Sequence, residues 1–187
     1  MAKLIYAINE SLDGYIEDRQ GSLDWSVSDD ELFSFWTDFQ RSIGTYLYGR
    51  RMYDAMVYWE NPSGQPFHDP KASQEFSRIW RNAHKTVFSR TLEKASTGNT
   101  EIVHAFDADQ IRQLKASAAE DLTIGGPDFA GQALKAGLVD DCYFLVNPII
   151  LGGGKRALPE NHQIQLQLLD LRRFRSGVVM LHYRVAQ

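Results

Sequence analysis

The sequence predicts an α/β protein built on an open, mostly parallel central sheet, with helices on both faces and an antiparallel hairpin at its C-terminal end. Three observations carry that prediction. Short apolar runs alternate with segments of helical periodicity as far as Gly137, the pattern of successive strand–helix units. Several of the runs end in glycine, serine or arginine, residues suited to tight turns from a strand into a helix. Beyond Gly137 the helical periodicity stops and only strand-like runs follow, which calls for antiparallel pairing.

The elements follow in order. Leu4 to Ile8 is a continuous apolar run, consistent with a strand buried on both faces. Asn9 to Tyr15 turns at Asp13-Gly14, and the loop continues through Gly21 and Ser22 to Trp25. Ser28-Asp29-Asp30-Glu31 reads as a capping box, with Leu32, Phe35, Trp36, Phe39 and Ile43 on the inward face of the helix behind it. Thr45 to Tyr48 is a second strand, and Met52, Tyr53, Met56 and Val57 mark a short helix after Gly49. Trp59 to Pro70 holds three of the six prolines and reads as loop, ending where Asp69 caps a helix whose inward residues are Phe76, Ile79 and Trp80. His84 to Phe88 and Glu101 to Val103 are further strands. A helix capped at Asp107 buries Ile111, Leu114 and Ala118. Leu122 to Gly125 is a strand running into a helix that opens with Pro127, carries Phe129, Ala133 and Leu134, and stops at Gly137. Val139 to Val146, Ile164 to Phe174 and Val178 to Val185 complete the sheet. With no linker, repeat or low-complexity tract, residues 1–187 read as one domain.

Composition narrows the function. The chain is 43% hydrophobic, 24% charged and 12% aromatic, a globular profile. A net charge of −4 argues against a general nucleic-acid binder, which needs a basic face. The N-terminus lacks the apolar core of a signal peptide, and no run reaches the roughly 18 apolar residues of a membrane span. The single cysteine, Cys142, lies in an apolar run, so a buried thiol in a cytoplasmic protein is expected. His68, His84, His104, His162 and His182 show no metal-ligand spacing, and neither a nucleophile elbow nor a Walker A loop occurs. The apolar C-terminal strands suit pairing across a two-fold axis, so a homodimer is expected.

Four loops carry the chemistry: Gly49-Arg50-Arg51, Ser89-Arg90-Thr91, Gly125-Gly126-Pro127 and Gly152-Gly153-Gly154-Lys155-Arg156. In an open parallel sheet such loops share the carboxyl edge, where ligands bind. Arginine forks and hydroxyls match phosphate oxygens, and glycines before a helix let the backbone approach an anion. Together the loops point to a ligand with several phosphates.

These stretches, with Ser11-Leu12-Asp13-Gly14, Gly137-Leu138-Val139-Asp140-Asp141 and Asn147 to Gly154, occur in the order and register of the dihydrofolate reductase superfamily. Over nearly its whole length the chain most resembles the branch containing the reductase domain of riboflavin biosynthesis, the RibD C-terminal domain. That resemblance implies a dihydrofolate reductase-like three-layer sandwich and an NADPH-dependent reductase of a small heterocycle, of the dihydrofolate or 5-amino-6-(5-phosphoribosylamino)uracil reductase type. It implies that Gly49, Arg50 and Arg51 meet the cofactor's phosphates and that Ser89, Arg90 and Thr91 hold the adenosine ribose and its 2′-phosphate. Gly125, Gly126 and Pro127 would take the pyrophosphate, and Asn147 to Gly154, including Gly152 and Gly153, would border the nicotinamide. Trp25 and Asp30 stand in the relation of the tryptophan and carboxylate of dihydrofolate reductases, with Glu31 as the alternative, and Asp13 is a second acid beside the site. Riboflavin-pathway reductases place a glutamate where this chain has Ile124 and a lysine where it has Ala7. The competing expectation is therefore a non-catalytic nucleotide-binding protein that kept the fold and lost the substrate site.

Overall fold

The computed structural model describes residues 1–62 and 69–186. Its first half runs β1 (Leu4–Ser11), β2 (Tyr15–Glu17), α1 (Asp30–Gln40), β3 (Ile43–Gly49), α2 (Arg50–Met56), a 3-10 turn (Val57–Glu60), α3 (Pro70–Asn82), β4 (His84–Phe88) and β5 (Thr100–Val103). The second half runs α4 (Ala108–Ser117), β6 (Asp121–Gly125), α5 (Pro127–Lys135), β7 (Asp141–Asn147), β8 (Lys155–Arg156), β9 (Leu166–Arg173) and β10 (Val179–Val185).

Eight strands form one sheet in the order β5-β4-β3-β6-β1-β7-β10-β9. The first six are mutually parallel, and β10 and β9 add an antiparallel pair. The parallel strands with intervening helices and the C-terminal hairpin are as expected. Burial sorts the helices into two layers. Ile111 of α4 and Phe129, Ala130, Ala133 and Leu134 of α5 pack on Leu4, Tyr6, Leu47 and Leu122 of one sheet face. Phe33, Tyr53, Phe76 and Trp80 of α1, α2 and α3 pack on Ile5, Tyr46, Tyr48 and Val87 of the other.

Several local expectations shift. The cap of α1 is Asp29, whose side chain accepts from Leu32 N at 2.8 Å, and not Ser28. Both residues are good caps, and the one-residue slide frees Glu31 to accept the Arg175 backbone N–H at 3.0 Å. The buried face also differs from the expected one: Leu32, Phe33 and Thr37 are buried, while Phe35, Trp36 and Phe39 are half-buried and Ile43 begins β3. The first strand extends to Ser11, so Asn9 and Glu10 belong to it and not to the turn. A two-stranded ribbon of β2 and β8 lies where only loops were expected. Trp59 and Glu60 are helical, while residues 63–68 of the proline-rich segment, His68 among them, lie outside the described residues. Lys85 of β4 is fully buried, its Nζ donating to the carbonyls of Trp80 at 3.0 Å and Ala83 at 2.9 Å. A cation there meets the negative end of α3. Cys142 is buried as expected, and burial pushes its thiol up to about 12.

Candidate functional site

The carboxyl ends of β3 and β6 stand side by side, since Tyr48 pairs with Gly125. Pairing of β1 with β6 stops at Tyr6↔Ile124, whereas pairing of β1 with β7 continues to Ser11↔Asn147. A notch therefore opens beside the last residues of β1, at the point where the chain's crossovers diverge to either side, the position at which open sheets bind ligands.

Gly126 follows β6 at this edge and leads into α5. Its φ of 95° is open to glycine and strained for other residues. A Cβ added there would lie at ordinary contact distance, 3.8 Å from Met52 Cβ and 3.9 Å from the N and Cα of Gly49, so the turns after β3 and β6 are neighbours. Gly125 is glycine for a different reason, because its Cβ would come 2.8 Å from Met52 Cγ and 2.9 Å from Tyr48 Cδ1. Pro127 takes the first turn of α5, and no side chain caps that helix. Its leading N–H groups are thus uncommitted to a side-chain cap and suited to an anion.

The cations around this point differ in their pairing. Arg50 Nε lies 2.8 Å from Asp54 Oδ2, Arg51 reaches Glu17 of β2 at 3.1 Å, and Lys155 of β8 is paired with Asp128 in the first turn of α5. The two last contacts fasten the β2–β8 ribbon to the starts of α2 and α5. On the neighbouring turn Arg90 and Thr91 are exposed, while Ser89 is buried with its Oγ accepting from the N–H groups of Thr91 at 3.3 Å and Leu92 at 3.1 Å.

The Gly152–Gly154 loop is held by two arms. Asp13 accepts from Leu151 N at 3.0 Å, Gly152 N at 2.8 Å and Ser11 Oγ at 2.7 Å, and Arg19 donates to the Gly152 carbonyl at 2.9 Å. The Leu151 N–H above all holds the Asp13 carboxyl down at about 2, which suits a permanently ionised tether and not an acid near neutrality. Gly153 and Gly154 serve close packing. A Cβ on Gly153 would meet Arg19 Nε at 2.5 Å, and one on Gly154 would strike the Glu17 carbonyl.

Trp25 lies in the loop before α1, which is tied to the end of β7 by Val27 N donating to Asn147 Oδ1 at 2.9 Å, and Asp30 opens the helix. The Trp25 indole donates to the Ser22 carbonyl at 3.1 Å within its own loop. Asp30 is exposed and lines a shallow groove of about 180 Å³ between α1 and α3, with Phe33, Asp38, Arg41 and Glu75, and none of the glycine-rich turns contributes to that groove. The acid that sequence reasoning missed is Glu10, two residues beyond Ile8 on β1. Burial raises its carboxyl from 4.5 to about 7, and after burial itself the Glu10 charge is the next cause raising the Tyr6 phenol. The sequence signal is a glutamate in the polar end, Asn9 to Ser11, of a strand that begins apolar. Ile124 is 1% exposed and Ala7 is partly buried against the core on the opposite sheet face, so both positions are filled with hydrocarbon.

Comparison with known proteins extends this geometry. The family model described as the RibD C-terminal domain matches residues 2–180. The chain is 30% identical over 183 residues to the uncharacterized protein YyaP of Bacillus subtilis strain 168, covering 97% of this chain and 94% of that one. In fold it is similar to a pyrimidine reductase-like protein of Corynebacterium diphtheriae, with a TM-score of 0.69 at 15% identity over 100% of this chain and 92% of that one. It is also similar to the dihydrofolate reductase of Enterococcus faecalis complexed with NADP(H) and RAB-propyl, with a TM-score of 0.66 at 13% identity, covering 99% and 97%.

Proposed function

Because the chain belongs to the RibD C-terminal domain family, we propose that it is an NADPH-dependent reductase that transfers a hydride to a small heterocycle of the pterin or pyrimidine type, working as a single domain over residues 1–187. The observation that carries this reading is the neighbouring glycine turns of Gly49 and Gly126 at the start of α5, which no side chain caps, beside the open end of β1. Those residues fit a dinucleotide: Gly125, Gly126 and Pro127 would hold its pyrophosphate, aided by Gly49, Arg50 and Arg51. Ser89, Arg90 and Thr91 would hold the adenosine end, and Gly152 and Gly153 would border the nicotinamide. When bound, the cofactor supplies the hydride.

The protein's own contribution is to orient, to exclude water and to hold a proton. Asp13 fixes the 151–152 backbone over the site through two N–H groups. Glu10, poised near 7, holds a proton that a carboxyl at the ordinary value would have lost, which fits it to supply a reduced C=N group better than Asp13. Asp30, in the first turn of α1, stays the alternative carboxylate of this reading, with Trp25 in the loop before it.

Oxidation of NADPH in the presence of dihydrofolate, and separately of 5-amino-6-(5-phosphoribosylamino)uracil, tests the proposal, with cofactor binding followed by fluorescence. Absence of both turnover and binding at millimolar NADPH would sink it. A second reading, a nucleotide-binding protein without catalysis, draws on the apolar Ile124 and Ala7, and binding without turnover across a panel of pterins and pyrimidines would favour it.

The active form we propose is a cytoplasmic homodimer. Leu166, Leu168 and Leu171 on β9 are 38%, 48% and 60% exposed, and pair with Val185, Tyr183 and Leu181 of β10, so all share one sheet face. The free edge of β9 is guarded, because Asp170 Oδ1 accepts the Leu171 N–H at 2.9 Å, so the partner is expected on the leucine face and not along the edge. Light scattering should give twice the 21.3 kDa chain mass, and Leu168→Asp with Leu171→Asp should halve it; a monomeric parent protein would refute the dimer.

A further inference from the structure

At the carboxyl edge of the sheet, Asn9, Ser11 and Asn147 share one face. Ile5 and Ala7 of β1 pack on the side of α1, α2 and α3, and the alternation of side chains along a strand puts Asn9 and Ser11 on that side too. Asn147 stands opposite Ser11 on β7, its amide oxygen accepting from Val27 N in the loop before α1 at 2.9 Å. Two of these polar side chains are fully committed. Ser11, 1% exposed, donates from Oγ to Asp13 at 2.7 Å and accepts from Tyr15 N at 3.0 Å. Asn147, also 1% exposed, donates from Nδ2 to the carbonyls of Leu145 at 3.0 Å and Glu10 at 3.3 Å.

Asn9 differs from both. It is half-buried, and its amide makes no hydrogen bond with any of the described residues. Its donors and its acceptor are thus partly withdrawn from water without a protein partner. Asn9 pairs with Leu145 of β7, while the pairing of β1 with β6 already ends at Tyr6↔Ile124. The peptide groups of β1 alternate as its side chains do. The Lys3 carbonyl accepts from Leu122 N at 2.8 Å on the β6 side, and the Leu4 carbonyl from Asp140 N at 2.9 Å on the β7 side. The peptide of Asn9 therefore faces the side that β6 has left, and Ala7, its neighbour on the same sheet face, adds only a methyl group. The amide borders the notch where a flat ring has room to lie.

An amide is uncharged and sets a donor beside an acceptor. Its complement is a ring N–H next to a ring carbonyl, the lactam edge of an oxo-pyrimidine or oxo-pteridine, which meets it through two parallel hydrogen bonds. A carboxylate offers acceptors alone and selects a different edge, the protonated amidine of a diamino ring. We propose that Asn9 is a specificity-determining residue for the heterocycle, binding the lactam edge of an uncharged oxo-ring. This rests on the reductase reading above and narrows its substrate, from pterin and pyrimidine rings in general to those that present a ring N–H beside a carbonyl.

The test is titration calorimetry of the full chain at pH 7 with NADPH, 2,4-dioxopteridine and 2,4-diaminopteridine, the two pteridines being measured with NADPH present. The parent protein should bind the dioxo ring more tightly than the diamino ring. Asn9→Ala should weaken the dioxo ring about ten-fold, the range of two hydrogen bonds between neutral groups. Asn9→Asp should reverse the preference, weakening the dioxo ring at least about ten-fold and tightening the diamino ring about ten-fold. Neither substitution should change NADPH affinity, which also reports an intact fold, and a reversed preference is not something a loss of packing produces. A parent protein that binds NADPH but neither pteridine, or that binds the diamino ring as tightly as the dioxo ring, would overturn the assignment and leave the cofactor half of the reductase reading in place. So would an Asn9→Asp variant with the parent's preference. If the parent protein binds neither NADPH nor a pteridine, the reductase reading itself fails and this role of Asn9 with it.

Discussion

Replacing Glu10 with glutamine should stabilise the protein, and do so increasingly as the pH rises. Burial lifts the Glu10 carboxyl from 4.5 to about 7. The folded state then favours the neutral acid, so its contribution to stability is fully present below about pH 4.5 and is lost as the pH climbs through 7. At about 1.4 kcal/mol per pH unit the whole loss is on the order of 3 kcal/mol. Water reaches part of this half-buried group, so about 1–3 kcal/mol is the expected range. Glutamine keeps the shape and stays neutral throughout. Urea denaturation of both proteins from pH 4.5 to 8.5 should therefore show coincident midpoints at the acid end and a growing advantage for Glu10→Gln toward neutrality, reaching its plateau near pH 8. A difference independent of pH, or one that shrinks with rising pH, would refute the burial argument and with it the case for Glu10 as the proton-holding group. If the parent enzyme turns over, the same substitution should lower kcat below pH 7, because an amide has no proton to supply, and leave a profile without the fall above pH 7.

Two further substitutions probe the frame around the site. Lys85→Met should leave the carbonyls at the end of α3 without their donor and lower stability by about 2–4 kcal/mol, seen as a fall in Tm of roughly 5–15 °C by calorimetry; an unchanged Tm would mean that the helix end finds other partners. Gly126→Ala forces a Cβ onto a φ of 95° and should cost about 1–3 kcal/mol by urea denaturation. Its more telling effect is the loss of NADPH binding, because the methyl group faces Gly49 across the gap where two backbones approach; retained affinity would displace the pyrophosphate from this turn.

What was legible in the sequence was whatever local chemistry decides. Asp69 and Asp107 cap their helices, Gly126 and Pro127 open α5, and the glycine and arginine turns follow strands as their spacing implied. What was hidden depends on partners far along the chain. β2 and β8 are three and two residues long, too short for any periodicity, and exist because the Gly154 backbone packs directly on Glu17. Sequence could show that Arg50, Arg51 and Arg90 follow strands, yet it could not show that carboxylates match the first two and leave the third. Glu10 read as part of a polar turn because its burial comes from the packing around the end of β1, and His104 read as one of five scattered histidines because its contact with Ser89 crosses from one strand to the next.

The place of β1 carries a consequence for how the molecule is made. Its first residues pair with β6, at Leu4↔Leu122, and its last with β7, at Ser11↔Asn147, so both neighbours of the strand synthesised first are synthesised late. A chain emerging from the ribosome must keep Leu4, Ile5 and Tyr6 unpaired through most of its elongation, and β3 likewise waits for β6 to bridge it to the centre. Such high contact order predicts slow refolding and a nascent chain exposed to misassociation. Chains truncated before β6 should be fully open to protease, and resistance should appear only once residues beyond Asn147 have been added, in a single late step.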